Sequence, residues 1–382
     1  MKTSLFSVLF LMFLAVAVLA VSVNNSPTAC SGKWTNCSNA FSDNTNRATA
    51  SASSSANKTG TWNNYGFSIP NSATIDSVKV RADFFASNVR GYINVRVSGD
   101  GGVIFGPSHV VGGNRAEQTF SIDVTNDVAW TQGKLNNTNL RVNVTCFKQG
   151  SGSNPTCRLD WIPVNVSYTP FDFSVSVNPS SSTITQGNSA QTTTTVTLLG
   201  GISQNVTLSH ANCPPSSTCT FNPSSGNPSF NSTFTVATTS STPTGTYNIN
   251  VTGTGDGKTR NAIYTLTVNT ACVRSNPTVL ITPDSQNGTA GQTLVYTTNV
   301  TNTDTTECGS STFNMTATIP ANWSGSFANG TLTTSPGGSS STTFSLTSDT
   351  NATSGDYIFT NKATNNNAPS FSGNDTAVYH VN

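Results

Sequence analysis

Past Val23, apolar residues return at every second position in stretch after stretch, and nowhere at the 3.6-residue spacing of an amphipathic helix. A chain with that period buries one face of each strand, and the spacing predicts an all-β fold. Val78, Val80, Ala82 and Phe84 alternate with Ser77, Lys79, Arg81 and Asp83, so the first set should face a core and the second water. Four further inner faces follow: Ile93, Val95 and Val97; Phe120, Ile122 and Val124; Leu140, Val142 and Val144; and Ile162, Val164, Val166 and Tyr168. Two packed antiparallel sheets would bury them, which makes residues 30–169 a β-sandwich.

The rest of the chain repeats itself. Ser176-Val177-Asn178-Pro179-Ser180 returns as Leu280-Ile281-Thr282-Pro283-Asp284, and Gly187 as Gly291 at the same offset. Thr244-Gly245-Thr246-Tyr247 then returns as Ser354-Gly355-Asp356-Tyr357. Two related modules, 171–269 and 271–382, therefore follow the first domain, each with the short strands of a sandwich. In both, a glycine precedes a strand whose tyrosine, Tyr247 or Tyr357, is expected to face inward as a core anchor.

These segments carry family resemblances. Residues 171–269 resemble the immunoglobulin-like repeats of exported microbial surface proteins, through FDFSVSVNPSSSTITQG and STPTGTYNINVTGTGDGKTRNAIYTLTV. The last module is similar to the immunoglobulin-like domain associated with alpha-galactosidases, through CVRSNPTVLITPDSQNGTAGQTLVYTTNVTNTD and SGDYIFTNKATN. That resemblance implies a bridge between Cys272 and Cys308. The first domain resembles a jelly-roll module of secreted and phage structural proteins, through YGFSIPNSATIDSVKV and CRLDWIPVNVSYT. None of the three implies catalytic residues. The expected architecture is a jelly-roll-like sandwich followed by two immunoglobulin-like ones.

Composition limits what such a chain can do. Charged residues make up 9% of it, against about 25% in an ordinary soluble domain. Ser, Thr and Asn supply the polarity, which suits strands and turns and leaves few acids, bases or metal ligands. The formal charge of +1 and the lack of any Lys/Arg run leave no footprint for nucleic acid. At the N-terminus, Lys2, the apolar run Leu5 to Val18 and the small residues through Ala20 form a signal peptide, residues 1–20, to be cut after Ala20. The alternative is an uncleaved anchor, because the apolar run extends almost to Val23 and would be the only contact with a membrane. Either reading puts the remainder outside the cell or on its surface.

Eight cysteines fall as sequence neighbours, Cys30 with Cys37, Cys146 with Cys157, Cys213 with Cys219 and Cys272 with Cys308. Short C-x2-C pairs for zinc are absent, and four local disulfides are the reading, among about 105 connectivities that eight cysteines allow. Sequons are about as frequent as this composition gives by chance. Asn143, Asn165, Asn205, Asn231, Asn250, Asn299 and Asn314 nevertheless lie between apolar residues in the outward phase of strands, where a glycan could be carried.

Chemistry is thin. Glu117 and Glu307 are the only glutamates, and His109, His210 and His380 fall in different domains, so neither a carboxylate pair nor a His-based array is evident. No G-x-S-x-G elbow is present, and the chain reads as non-catalytic and free of cofactors. Asp100 in Gly99-Asp100-Gly101, with Asp123 and Asp127, would be the ligands of a structural calcium ion, or simply turn and surface residues. Trp62 and Tyr65 around Asn63-Asn64, and Trp161 beside Asp160, are the aromatics that could stack on a sugar. Trp130 and Trp323 read as caps on the core. The expected function is that of a cell-surface structural protein or adhesin, its repeats acting as spacers and its head binding a surface polysaccharide or protein. The alternative is a carbohydrate-binding accessory subunit of a secreted glycoside hydrolase system.

Overall fold

A computed structural model describes residues 18–382, so most of the expected signal or anchor segment lies outside the described residues. Among the described residues the fold is all-β. Its only helical turns are two short 3-10 segments, Cys37–Ala40 and Gln132–Lys134, and no helix is long and apolar enough to cross a membrane.

The first domain, the head, is a sandwich of a six-stranded and a five-stranded sheet. Its longest strand, Thr74–Ala86, organises the first sheet. That strand pairs with Val164–Thr169 along its first half and Thr156–Trp161 along its second, while Gln118–Asp123 takes its other edge. The facing sheet runs Ala29–Gly32, Lys58–Asn63, Arg141–Lys148, Gly91–Ser98 and His109–Gly112. The residues that alternation turns inward form one buried cluster, with Phe120 half-buried at its rim and Tyr168 buried outside it. The sandwich also begins earlier than residue 30. Val21–Asn25 is a strand paired antiparallel with Val164–Tyr168, so Val21 and Val23, which prolong the N-terminal apolar run in sequence, belong to the head.

The two modules that follow have the same topology strand for strand. In the first, Asp172–Asn178, Ser189–Gly200, Phe230–Ala237 and Thr218–Asn222 form one sheet; its counterpart is Thr278–Thr282, Thr293–Thr301, Ser339–Thr347 and Ser324–Phe327. The opposite sheets are Ser181–Thr185, Lys258–Asn269, Gly245–Gly255, Val206–Ala211 and Ser225–Gly226, matched by Ser285–Gly288, Ser372–Val381, Gly355–Asn365, Ser311–Thr318 and Thr331–Thr334. In each, the opening strand breaks at Pro179 or Pro283 and resumes in the other sheet, parallel to the last strand. Proline suits that crossing because it has no N–H to leave unpaired. Gly187 and Gly291, with φ of 84° and 79°, make the turn into the next strand.

The tyrosines are equivalent and share the inward phase of their strands, packing against the core from its rim and not filling it. Tyr247 and Tyr357 are half-buried at the start of matching strands, and each donates its hydroxyl to a carbonyl four residues back, Pro243 at 2.8 Å and Thr353 at 3.0 Å. This is the tyrosine corner of immunoglobulin-like sandwiches. The tyrosines that fill the cores are Tyr264, Tyr296 and Tyr379, all fully buried.

All four disulfides join the sequence neighbours, and no cysteine is free. Each bridge closes a loop within one sandwich, or fastens a segment that leads into one. The longest, Cys272–Cys308, spans 36 residues and ties the start of the last module to its second loop.

Candidate functional site

Two of the three expected sugar-stacking aromatics are inside the head. Trp62 has no exposed surface, packs edge-on against Trp34 and donates its indole N–H to the Cys37 carbonyl. Tyr65 is buried as well, its hydroxyl donating to the Ile162 carbonyl at 3.2 Å. Asn63-Asn64 suggests an open loop, but Trp62 occupies the inward phase of Lys58–Asn63 and the chain turns back over the core after it. Trp161 alone lies outward. It is half-buried, its indole N–H donates to Ser26 Oγ, and the Arg81 guanidinium lies 4.5 Å from its ring.

Arg81 is part of a charged network that covers the outer face of the six-stranded sheet. It grips Asp83 with two hydrogen bonds, and Asp83 is 2% exposed although alternation turns it toward water. Arg81 also reaches Asp43 at 3.3 Å. A second arginine, Arg47, comes from the loop before Ala48–Ser51 and bridges two carboxylates, Glu117 at 2.6 Å and Asp160 at 3.0 Å. Asp160 sits where the register of Thr156–Trp161 slips, with a side chain only 1% exposed. Burial pushes its carboxyl up to about 6, against the pull of the Arg47 cation and the Asn44 N–H, and nearby Glu117 and Asp43 add to the rise. Phe85 completes the face, with Arg158 and Arg47 over its ring at 5.4 and 5.8 Å.

The pairing of strands explains why these groups meet. Arg158 stands opposite Phe85 and Trp161 opposite Asp83 across one edge, while Thr119 stands opposite Asp83 across the other and donates to it at 2.7 Å. Arg81, Asp83 and Phe85 share one face because strand side chains alternate. The site lies toward the far end of Thr74–Ala86, roughly 23–36 Å along the strand from Thr74 at the usual strand rise. At the near end the chain passes into the second module, where the Ile202 N–H donates to the Ser72 carbonyl. Sequence reasoning found Trp161 and Asp160 in this group and missed Arg47, Asp83, Phe85, Glu117 and Arg158. Only the i, i+2 spacing of Arg81 and Asp83 was a local signal; Arg47 and Asp160 are 113 residues apart.

The carboxylates proposed for calcium are engaged elsewhere. Asp100 accepts hydrogen bonds from Ser98 Oγ and from the N–H groups of Val103 and Ile104, which hold its carboxyl below the usual range. It thereby fixes a loop that carries Val103 and Ile104 outward, 82% and 72% exposed. Asp127 hydrogen bonds His109 at 2.6 Å, and Asp123 accepts from the Thr125 N–H in a local turn. Asp100 and Asp127 line one cleft, yet among the described residues the only grouping of three metal-ligand types is His210 with Cys213 and Cys219, whose sulfurs are joined in a disulfide. The histidines stay apart: His380 pairs with Asp356, and the His210 ring lies tilted beside Phe221 and Phe234.

The seven singled-out sequon asparagines all lie off the core. Asn205, Asn231 and Asn314 are exposed, while Asn143, Asn165, Asn250 and Asn299 are half-buried between neighbouring strands.

No family model matches the chain, and no curated protein sequence matches it. Solved structures that it is similar to include domains 5–6 of the S-layer protein SbsC, at 13% identity and a TM-score of 0.21, covering 55% of this chain and 98% of that one. The D00-D0 domain of intimin follows at 10% identity and a TM-score of 0.23, covering 55% and 99%. The fibronectin(III)-like modules of Clostridium thermocellum CbhA match at 13% identity and a TM-score of 0.18, covering 54% and 93%.

Proposed function

We propose that this chain is an exported, non-catalytic structural protein or adhesin of a cell surface, in which the two immunoglobulin-like modules are spacers and the head makes the specific contact. The observation that carries this reading is the division of chemistry. The modules copy one another strand for strand and present hydroxyl and amide side chains, whereas the head gathers Arg47, Arg81, Arg158, Phe85 and Trp161 on one outer sheet face. The four local disulfides support an oxidising compartment. Exposed sequons at Asn205, Asn231 and Asn314 support glycan attachment there.

The partner is a surface polymer or protein that meets this face, rather than a sugar held between stacked aromatic rings, since Trp62 and Tyr65 are buried. Protease treatment of intact cells, followed by intact-mass measurement of the protein released, tests the whole reading. A fragment beginning near Val21, with glycan mass added and no free thiol, is the expected result. Protection of the protein from external protease, with reduced cysteines, would rule out the surface location.

A further inference from the structure

Charge is distributed along this chain in a way its net value conceals. Residues 21–169 carry twelve Lys and Arg against eight Asp and Glu, residues 170–270 carry two against two, and residues 271–382 carry two against six. The head is thus cationic by four, the middle module neutral and the last module anionic by four.

The structure sharpens this contrast. At the far end of the head, the four acids Asp43, Asp83, Glu117 and Asp160 are all held by Arg47 or Arg81. The same end of the sandwich also carries Lys33, Lys58, Arg90, Arg115, Lys148 and Arg158, none of which has a carboxylate partner among the described residues. The loops that carry them converge: the Gln149 N–H donates to the Arg90 carbonyl, the Ala86 N–H to that of Asn114 and the Ala52 N–H to that of Pro155. Lys33 and Arg115 are exposed. In the last module the balance is inverted. Arg274 is committed to the buried Asp304, which leaves Asp284, Glu307, Asp349, Asp375 and the His380-paired Asp356 against Lys362, with Asp284, Glu307 and Asp356 exposed.

We infer that the cationic far end of the head docks on the acidic last module of a second copy of this chain. The contact is heterologous, head of one copy to last module of the next, and such contacts propagate into rings or open arrays unless they close. Opposite charge would steer the encounter and fix its polarity, because head-to-head and module-to-module contacts are repulsive. This inference rests on the surface-structural reading and names its partner; the protease experiment on cells reads location independently, so a surface protein that stays monomeric would sink the inference alone.

The test is sedimentation of the full mature chain across a salt series. Self-association should weaken by about tenfold or more between about 20 mM and about 300 mM salt, as screening shortens the reach of the charges. Two reversals follow, Lys33→Glu with Arg115→Glu in the head, and Asp284→Lys with Asp356→Lys in the last module. Each should be monomeric alone, and a mixture of the two should associate, since the reversed head then meets the reversed module. Should either reversal lower the melting temperature, Lys33→Gln with Arg115→Gln takes its place, with partial loss of association expected. A chain that is monomeric at low salt, association indifferent to salt, or reversed copies that fail to rescue one another would each overturn the inference. Binding of an acidic polysaccharide such as alginate by the head, without self-association, would overturn it too and make that polymer the partner.

Discussion

Asp160 sits in an environment that a carboxylate disfavours. A carboxylate with 1% of its side chain exposed is stable only because Arg47 and the Asn44 N–H reach it, and burial still outweighs them, leaving its carboxyl at about 6. Because the folded value lies above the ordinary carboxylate range, the folded state holds a proton between about pH 4 and pH 6 that the unfolded chain has released. Stability linked to this group is therefore fully present below about pH 4 and lost as pH rises through about 6, an effect on the order of 2 kcal/mol. Thermal unfolding between pH 7.5 and pH 5 should show the head gaining stability on acidification, and Asp160→Asn should abolish that slope. The acids whose values are lowered, Asp100, Asp123, Asp304 and Glu307, lose their contribution only at more acid pH and do not confuse the window. A second residue-scale expectation concerns the tyrosines. Tyr357→Phe removes one hydroxyl bond to the Thr353 carbonyl and should cost about 1 kcal/mol, whereas Tyr379→Ala, at a fully buried ring, should cost about 3–5 kcal/mol. Equal losses from Tyr357→Ala and Tyr379→Ala would mean that the corner tyrosine bears more of the core than its half-exposure indicates.

At the scale of strands, legibility followed the contrast between the two faces. Where apolar residues alternate with charged ones, as from Ser77 to Phe84, the inward phase was plain, and Val78, Val80, Ala82 and Phe84 are all buried. Where threonine occupies both faces it was not: in Thr192–Thr195 the buried residues are Thr192 and Thr194, a phase set by the neighbouring Ala190 and Val196. The repeat was readable because Pro179 and Pro283, Gly187 and Gly291, each answer a backbone need that few residues meet. Asp83 and Trp62 were misread for one reason, that polarity and neighbours in sequence say little about what another strand places overhead. The disulfides were readable from proximity, and loop length sets what they contribute. In the chain-entropy picture Cys272–Cys308, spanning 36 residues, stabilises by about 3.5–4 kcal/mol, and Cys213–Cys219, spanning 6, by about 2.2 kcal/mol. Paired Cys→Ser replacement should lower the midpoint of denaturation more at the first bridge than at the second. The reverse order would show that strain or residual structure in the unfolded chain, and not loop closure, governs these bridges.

Across the whole molecule, tryptophan and charge give different guides to where recognition lies. Four of the five tryptophans, Trp34, Trp62, Trp130 and Trp161, are in the head. Trp34 and Trp62 nevertheless build its interior, and Trp130 caps the core edge with its indole N–H on the Val124 carbonyl. Their enrichment records how the head packs, and only Trp161 is left to meet a partner. Charge is the better guide, because in a chain that is 9% charged each guanidinium placed on an outer sheet face is a departure from the rule. Phe85 between Arg47 and Arg158 offers a flat apolar ring framed by cations, the kind of surface on which a few residues carry most of a contact. Phe85→Ala with Arg158→Ala removes that surface from the outside of the sheet and should cost the fold only about 1–2 kcal/mol. Adhesion of the full chain to cells or to purified surface polymer should then fall by about tenfold or more. Thr195→Ala with Thr343→Ala, on the matching hydroxyl-bearing sheets of the two modules, should leave adhesion unchanged. If the threonine pair abolishes binding while the Phe85 and Arg158 pair retains it, the modules are the recognition surface and the head is the spacer.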